Sequence, residues 1–334
     1  MSRLRTRSKL GQHLPTKTKK VSRRNLLTFE IMVGVQGFEP WTPCSQSRCA
    51  TRLRYTPTIS ILTSTRARLS RAVIYFLFCL VSITFMSKQL PTLSWMEPGD
   101  PFPDVRSAWD ANSDAPGLLA AGGDLSVNSL RNAYADGIFP WFSEGQPNLW
   151  WSPDPRMVLE VSNFRLHRSL RKTLARFANA AHCEVRFDTA FESVLNNCAR
   201  VTRKGQPGTW ILPPMVEAYT RLHRAGFAHS VETWIDGKLV GGLYCVALGK
   251  AVFGESMFTQ IHDASKIALA ALVSFCRHHG VEFIDCQQNT THLASLGAAE
   301  MPRSCFLSHI HDAQFAPELE WRFTPLYWNN ILCA

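Results

Sequence analysis

The sequence predicts an α+β protein, and the pattern of its second half is the basis of that prediction. Segments 163–180 and 213–226 repeat apolar residues at the spacing of amphipathic helices. Between 228 and 259, three extended runs are joined by tight turns, and Asp236-Gly237 is a strong signal for a hairpin of antiparallel strands. A further helix and a short apolar strand follow within 263–287. Hairpins, then a helix, then a strand fit the α+β architecture of acyltransferases, which includes the N-acetyltransferases.

The individual elements follow from local signals. The helix over 163–180 has an apolar face of Leu166, Leu170, Leu174 and Phe177, and its other faces are basic. Proline near a helix start and glycine after its end mark the helix at 213–226. The remaining expected elements are a strand at 182–190, a helix at 190–200, a basic loop at 201–212, a helix capped by Asp263 that runs to His279 and ends at Gly280, a strand at 281–287, and a tail of turn plus helix.

We expect two domains after residue 85, a small αβ domain at 86–158 and a larger one at 159–330. In the smaller domain, Asp124 or Ser126 can cap a short helix over about ten residues, and Gly137 ends it. The seven cysteines after residue 85 form no Cys-x-x-Cys pair and match no zinc spacing. Scattered thiols without a credible export signal indicate a reducing compartment, so we expect the cytoplasm.

An aromatic segment joins the two expected domains. The stretch GIFPWFSEGQPNLWWSPDPRMVL (137–159) combines Trp and Phe with prolines and glycines, which predicts turns and short extended pieces. Large aromatic side chains in such a segment indicate either a binding surface or a small packed core between domains. The residues alone favour neither interpretation.

The net charge of +10 is confined to the front of the 334-residue chain. Residues 1–85 contain 15 Lys and Arg against two acids, which leaves 21 basic and 24 acidic residues in 86–334. The total charge therefore gives no reason to expect that the rest of the chain binds nucleic acid.

The front segment contains two unusual stretches. An apolar run of about 15 residues within 71–86 is shorter than the roughly 20 that a membrane helix needs and is misplaced for a signal peptide, so we expect no membrane attachment. The stretch GFEPWTPCSQSRCATRLRYTP (37–57) resembles a peptide translated through a tRNA gene, because Gly-Phe-Glu-Pro is encoded by the core of a T arm. We expect Met86 or Met96 to be the start and most of 1–85 to be upstream DNA translated in error. A genuine basic tail with one apolar helix is the alternative.

Three acidic and amide side chains are candidates for chemistry. Glu255 lies in an otherwise apolar strand, FGESMF, and Asp285 and Gln287 in FIDCQQNT alternate onto one face of a strand. Buried acids are costly unless they are paired, so Glu255 and Asp285 either share a polar cavity or form a structural pair that anchors strands. The basic clusters at 165–176 and 200–204 are either solvated surfaces or a polyanion site. Phosphate-loop, zinc-protease and serine-elbow motifs are absent from the sequence.

Six blocks together closely resemble the leucyl/phenylalanyl-tRNA–protein transferases of bacteria, in register over roughly 110–310. They are GGDLSVNSLRNAYADGIFPWF, LWWSPDPRMVL, GTWI, VGGLYCVALGKAVFGESMF, ASKIALAALV and IDCQQNTTHLASLGA. The resemblance implies transfer of Leu or Phe from aminoacyl-tRNA to the N-terminal Arg or Lys of an acceptor protein, which marks that protein for ATP-dependent proteolysis. It also implies an N-acetyltransferase-like catalytic domain with a small N-terminal domain beside it. No metal or nucleotide cofactor is expected, because the aminoacyl ester is already activated.

The resemblance assigns catalytic roles to Asp285, Gln287 and Glu255. Gln287 is expected to orient the attacking amine or the oxyanion by hydrogen bonds. Asp285 and Glu255 are expected to supply negative charge, either as a base or to hold the cationic side chain of the acceptor. A proton relay through the terminal hydroxyl of the tRNA is a third possibility, and these alternatives stay open.

The resemblance also assigns binding residues. An apolar pocket selects Leu and Phe and is expected to admit Met, because one methylene changes binding by only about 1–3 kcal/mol. Leu272 stands where a relative has a bulkier aromatic residue, which leaves the preference between Leu and Phe open. The implied pocket residues are Leu243, Ser256, Met257, Leu272 and Ile284; the residues that stack on the terminal adenosine are Trp141 and Trp210; those that contact tRNA phosphates are Arg168, Arg171 and Lys172.

Two other functions compete with this interpretation. An acyl-CoA N-acyltransferase of the same architecture usually has a glycine-rich pyrophosphate loop, and residues 260–265 contain no glycine. A non-catalytic tRNA-binding module could use the aromatic segment and the basic helix, but it has no need for Glu255, Asp285 and Gln287 together. We expect Trp150 and Trp151 to pack between the domains, and we expect a monomer.

Overall fold

The computed structural model of the chain describes residues 92–201 and 209–333. These residues form two β-sheets and eight α-helices, which confirms the α+β class. The expectations for 1–85, including the apolar run near its end, lie outside the described residues, and so does the start at Met86. Most of the basic loop expected at 201–212 lies outside them as well.

The smaller sheet has four short strands. It consists of β1 (Ser94–Met96), β2 (Leu118–Gly122), β3 (Phe139–Pro140) and β4 (Leu149–Trp151), in the order β1-β2-β4-β3. Helix α1 (Val127–Ala135) joins β2 to β3. The Ser126 hydroxyl accepts a hydrogen bond from the Ser129 N–H at the start of α1, and Gly137 follows its end with a φ of 69°. The short helix is therefore confirmed, with Ser126 as its cap.

The two adjacent tryptophans of the aromatic segment lie in β4. Trp150 is fully buried, packs edge-on against Phe102 at 4.7 Å between ring centroids and donates its indole N–H to the Gly122 carbonyl at 2.9 Å. The Trp151 indole donates to the Trp141 carbonyl at 2.7 Å. Both rings therefore have packing roles. Their partners in these contacts, Phe102, Gly122 and Trp141, all precede residue 158, so these contacts do not join the two expected domains.

The larger sheet has seven strands: β5 (Arg156–Glu160), β6 (Cys183–Phe187), β7 (Ala228–Ile235), β8 (Lys238–Leu248), β9 (Ala251–Thr259), β10 (Phe283–Gln287) and β11 (Ala299–Met301). Their order in the sheet is β11-β5-β10-β9-β8-β7-β6. Neighbours are antiparallel except for the parallel pair β9 and β10. Strand β5 includes the boundary expected between residues 158 and 159.

The hairpin that links β7 to β8 turns where the sequence predicts. Asp236 and Gly237 have φ angles of 50° and 70°. A turn with two positive φ angles matches the right-handed twist of the strands it joins, and Asp-Gly is among its preferred sequences. Strand β11 was missed, because only a turn and a helix are predicted for the tail.

Seven further helices follow α1. The predicted helix over 163–180 is shorter than expected, because a turn of 3₁₀ helix at Val161–Asn163 precedes it and the α-helix begins only at Arg168. The helices are α2 (Arg168–Ala178), α3 (Phe191–Arg200), α4 (Pro213–Arg224), α5 (Ala264–His279), α6 (Thr291–Ser295), α7 (Arg303–Ala313) and α8 (Asn329–Leu332), and further 3₁₀ turns lie at Val105–Ser107 and Pro325–Trp328.

Helix α5 packs across the larger sheet and carries much of the core. In this 16-residue helix, every residue from Ile267 to Cys276 is buried. Gly280 ends the helix with a φ of 66°. Asp263 occupies the expected N-cap position, but its side chain accepts no capping hydrogen bond: the residue has a left-handed φ of 65°, and its carboxylate pairs with Lys266 at 2.9 Å. Within the described residues, no helix combines the length and apolarity needed to span a bilayer.

Candidate active site

A cavity of about 610 Å³ opens between the larger sheet, the start of α5 and the aromatic segment. Its lining includes all five residues predicted for the side-chain pocket, both tryptophans predicted to stack, and two of the three predicted catalytic residues. Asp285 and the three basic residues predicted for tRNA phosphates do not line it. The predicted residues in the lining are Trp141, Trp210, Leu243, Glu255, Ser256, Met257, Leu272, Ile284 and Gln287.

One side of the cavity is apolar. Leu243 on β8 faces Met257 on β9 across the antiparallel pair, and Ile284 enters from β10. Leu272 reaches the same space from α5, and Leu243, Leu272 and Ile284 are at most 3% exposed. This surface can bury an aliphatic or aromatic side chain, because apolar groups leave water at a gain of roughly 25 cal/mol per Å².

Two indole rings lie at another side of the cavity. Trp141, just after β3, packs edge-on against Trp151 with ring centroids 5.3 Å apart. Trp210 lies at the start of the described segment that leads into α4. Both residues are partly exposed and line the cavity, so each can offer ring surface to a flat ligand.

Glu255 on β9 places a carboxylate in the cavity among neutral donors. The Tyr134 hydroxyl donates to its Oε1 at 2.7 Å, and the Gln287 carboxamide donates to the same oxygen at 3.2 Å. The Tyr219 hydroxyl donates to Oε2 at 3.3 Å and lies 2.5 Å from the Tyr134 hydroxyl oxygen. No cationic side chain of the described residues pairs with Glu255 within 4.0 Å.

This environment raises the pKa of Glu255 to about 7. The main cause is burial, which disfavours the charged carboxylate, and the nearby Asp285 charge adds to the rise. The hydrogen bonds from Tyr134 and Tyr219 and the more distant Arg156 oppose it. Glu255 can therefore change charge near neutral pH.

Asp285 on β10 has a different environment. Arg156 on β5 binds it in a bidentate ion pair, from Nε to Oδ1 at 2.8 Å and from Nη2 to Oδ2 at 2.6 Å. The two side chains are 1% exposed or less. A buried carboxylate held by both arms of a guanidinium is already neutralised, so its charge has a partner within the chain.

Gln287 connects the two carboxylates. The pairing of β10 with β5 shifts register between Asp285 and Gln287, so the regular alternation expected from the sequence is interrupted there. Gln287 has a left-handed φ of 56°, and its backbone N–H donates to Asp285 Oδ1 at 2.9 Å. Its side chain points to Glu255. Asp285 and Gln287 are therefore neighbours, but only Gln287 reaches the cavity.

The sequence analysis did not single out Arg156. Its guanidinium lies over the rings of Phe139 at 4.9 Å and Phe306 at 4.6 Å, and its Nη1 donates to the Gly137 carbonyl at 3.1 Å. The available signal was an arginine at the start of the apolar run RMVL, because a cation within a buried strand requires an acidic partner.

The cavity lining also includes polar and charged side chains that the sequence did not assign to a site. They are His262, Asp263, Lys266 and His292. Burial lowers the pKa of His292, and the nearby Lys266 lowers it further. In the part of the chain that the structure describes, no cluster of His, Cys, Asp and Glu is arranged to hold a metal ion.

The basic face of α2 lies outside the cavity lining. Arg168 and Lys172 are exposed, as a surface that meets phosphates requires. Arg171 is partly buried and donates from Nη1 to the Leu332 carbonyl at 2.8 Å. Part of its donor capacity is therefore used within the chain.

Comparison with known proteins decides the family. The sequence profile of leucyl/phenylalanyl-tRNA protein transferases matches residues 158–311, and that of their N-terminal domain matches 123–154. A leucyl/phenylalanyl-tRNA–protein transferase of Albidiferax ferrireducens is 60% identical over 247 residues, which cover 74% of this chain and 97% of that protein. The chain belongs to this family. Another member, from Polaromonas sp. strain JS666, is 59% identical to this chain over 249 residues, which cover 75% of this chain and 98% of that protein.

Among solved structures, a conserved protein of unknown function from Staphylococcus epidermidis ATCC 12228 is similar to the transferase with a TM-score of 0.29. The sequences are 8% identical, and the match covers 55% of this chain and 68% of the other. So slight a likeness supports no argument about fold or function.

Proposed function

We propose that the transferase moves Leu or Phe, and Met as a further substrate, from aminoacyl-tRNA to the N-terminal Arg or Lys of acceptor proteins, which marks them for degradation through the N-end rule. The observation that carries the proposal is the composition of one cavity. It combines an apolar side, two indole rings and a carboxylate with no cationic partner among the described residues. The apolar side suits an apolar aminoacyl group, the indole rings suit a terminal adenosine, and the carboxylate suits a cationic acceptor.

The aminoacyl end of the tRNA would occupy the side of the cavity that lies against α5. Leu243, Leu272 and Ile284 would enclose the side chain to be transferred, with Ser256 and Met257 beside them. The adenine would stack on Trp141 or Trp210, a contact worth roughly 1–3 kcal/mol per base. The exposed Arg168 and Lys172, together with Arg171, would meet backbone phosphates of the acceptor stem, which carry no sequence information.

The acceptor would approach Glu255. Its N-terminal Arg or Lys side chain would pair with that carboxylate, because a cation satisfies a charge whose hydrogen-bond donors among the described residues are all neutral. The α-amine, in its neutral form, would then attack the ester carbonyl. A C–N bond forms, the ester C–O bond breaks, and the tRNA leaves with its terminal hydroxyl.

Gln287 would orient the reacting groups from the side of β10. Its carboxamide N–H donates to Glu255 in the free protein, and its carbonyl oxygen can accept a hydrogen bond from the incoming amine. Asp285 is placed to support Gln287 and has no direct access to the cavity. The proton of the attacking amine can pass to the departing tRNA hydroxyl, an alternative that needs no protein base.

We further propose that the chain from residue 159 to 330 has an N-acetyltransferase-like fold, with 86–158 as a separate small domain, and that the protein acts as a cytoplasmic monomer. The parallel contact of β9 with β10 beside a run of antiparallel hairpins supports the fold. Limited proteolysis that separates two stable fragments by a cut just before β5 would support a domain boundary near residue 158. Sedimentation at micromolar concentration would test the monomer.

The direct test is transfer itself. The full chain is mixed with tRNA charged with labelled leucine and with one of two acceptor proteins that differ only in an N-terminal Arg or Ala. We expect label in the Arg acceptor and none in the Ala acceptor. Label in neither, from protein with a cooperative unfolding transition, would contradict the proposal. Equal label in both would contradict its acceptor specificity alone.

A further inference from the structure

We infer that Arg156 is a positioning residue for the transfer reaction, because it holds the carboxylate that fixes Gln287 and the chain segment that leads from Tyr134 into the cavity. The inference rests on the proposed function and adds to it a residue that never touches substrate. It also changes the role of Asp285 from a group that acts on substrate to one that acts through Gln287.

The ion pair of Arg156 and Asp285 leaves no free partner for a substrate group. Arg156 uses Nε and Nη2 for the two oxygens of Asp285, and the remaining Nη1 donates to the Gly137 carbonyl. Neither side chain is more than 1% exposed, and neither lines the cavity. An acceptor amine therefore has no path to Asp285 that leaves this pair intact.

One carboxylate oxygen of Asp285 has a contact beyond the ion pair. Asp285 Oδ1 accepts from Arg156 and also from the Gln287 N–H at 2.9 Å. Gln287 needs such a restraint, because a non-glycine residue with a φ of 56° is in a conformation that costs about 1 kcal/mol or more. The same conformation directs its carboxamide to Glu255.

Arg156 also contacts the chain segment that follows Tyr134. The Gly137 carbonyl accepts a hydrogen bond from Arg156, and Gly137 follows helix α1. Helix α1 carries Tyr134, whose hydroxyl makes the shortest of the three hydrogen bonds to Glu255. The guanidinium also lies over Phe139, which lines the cavity. Arg156 therefore supports both donors that share Glu255 Oε1, one through β10 and one through α1.

The ion pair also affects the charge of Glu255. Asp285 raises the pKa of Glu255 and Arg156 lowers it, so the two effects oppose each other while the pair is intact. Loss of the guanidinium leaves the Asp285 charge unopposed beside Glu255. A purely structural ion pair elsewhere in the sheet would have no such effect on the cavity.

The experiment uses the full chain with Arg156→Lys, which keeps the charge and loses the bidentate geometry, and Arg156→Met, which loses both. Steady-state transfer to the Arg acceptor gives kcat and the KM for aminoacyl-tRNA, and thermal unfolding gives the folded fraction. We expect kcat to fall by about 10²-fold in Arg156→Lys, the effect of a misplacement of about 1 Å, while KM changes by less than about threefold. In Arg156→Met, which leaves the Asp285 charge unopposed, the pH midpoint of activity should move to higher pH, whereas Arg156→Lys keeps the charge and should leave the midpoint near that of wild type.

A matched control separates positioning from general loss of stability. Glu232 is also fully buried in the larger sheet, where it accepts from the Ala190 N–H at 2.7 Å, the Ser230 hydroxyl at 2.8 Å and the Trp234 indole at 2.8 Å. It does not line the cavity. Glu232→Gln is expected to lower the unfolding temperature and to leave kcat per folded molecule within about twofold of wild type.

A double variant keeps the test decisive if Arg156→Met does not fold. Replacing both partners, Arg156→Met with Asp285→Leu, removes the uncompensated charge, and such apolar replacements of buried ion pairs are often tolerated. A stable double variant with low kcat supports the inference. Recovery of wild-type kcat in it, or wild-type kcat in folded Arg156→Lys, overturns the inference. Inactive wild-type protein would instead overturn the proposed function.

Discussion

Two carboxylates on neighbouring strands have opposite environments in this protein. Asp285 on β10 is buried beside the guanidinium of Arg156, which carries the opposite charge and donates to both of its oxygens. Glu255 on β9 is partly exposed and, within 92–201 and 209–333, receives hydrogen bonds from two phenols and a carboxamide but from no cation. The difference indicates that the partner decides what a carboxylate in the sheet can do, since both residues lie on strands that are otherwise mostly apolar. A carboxylate paired with arginine positions its neighbours, whereas one held by neutral donors can still bind a cation.

The largest expected effect follows from removing the charge of Glu255. Glu255→Gln keeps the size of the side chain and an acceptor oxygen, so Tyr134 can still donate. Loss of a desolvated charge pair typically costs about 2–5 kcal/mol, so we expect the preference for an N-terminal Arg over Ala to fall on the order of 30-fold or more. Competition between the two acceptor proteins in one reaction measures that preference directly.

Glu255→Asp is the matched control for this prediction. It retains the charge but shortens the side chain, and it should keep part of the preference for Arg. A Glu255→Gln variant that discriminates as well as wild type would show that Glu255 does not bind the acceptor cation. The apparent difference between the two carboxylates would then have no functional meaning.

The second expected effect concerns Asp285 and is of a different kind. Asp285→Asn keeps an oxygen for the Gln287 N–H but weakens the hold of Arg156, which then lacks a charged partner. We expect kcat to fall roughly tenfold or more through misplacement of Gln287, with the Arg-to-Ala preference within about twofold of wild type. If the preference falls as it does in Glu255→Gln, Asp285 itself contributes to acceptor binding.

The sequence predicts much of this site because its parts obey local rules. FGESMF is recognisable as an apolar strand with one acid, Glu255, and the tight turn at Gly249-Lys250 joins the hairpin of β8 and β9 that brings Leu243 opposite Met257. The family resemblance supplies the pocket residues, which the cavity brings together. These expectations needed no knowledge of how distant segments meet.

The ion pair could not be predicted in the same way. Arg156 and Asp285 are 129 residues apart in the chain, and they meet only because β5 pairs with β10. The irregularity at Gln287 is equally non-local, since it depends on the Asp285 carboxylate that restrains it. Tyr134 and Tyr219 reach Glu255 from two different helices, so no spacing in the sequence indicates their convergence.

The third expected effect is a pH dependence of acceptor choice. Glu255 is neutral below its pKa of about 7 and anionic above it, so the preference for Arg over Ala should increase as pH rises through 7. Between pH 7 and pH 6 the ionised fraction falls roughly fivefold, and the preference should fall with it. Both acceptors carry an ordinary α-amine, so its titration cancels when the two rates are divided. A ratio that stays constant from pH 6 to pH 8 would contradict a titrating Glu255.

The smallest expected effect distinguishes the two phenols. The hydrogen bond from Tyr134 lowers the pKa of Glu255, and so does the longer one from Tyr219. Removing a donor to the carboxylate should therefore raise that pKa, and the pH midpoint of the Arg-to-Ala preference should move to higher pH, by less than about one unit. Tyr134→Phe, which loses the 2.7 Å bond, should shift the midpoint further than Tyr219→Phe, which loses the 3.3 Å bond. The opposite order would indicate that Tyr219 supplies the stronger donor and that Tyr134 acts mainly through it. Because phenylalanine keeps the ring, an unchanged midpoint in both variants would mean that burial by the rings, rather than their hydroxyls, governs the charge of Glu255.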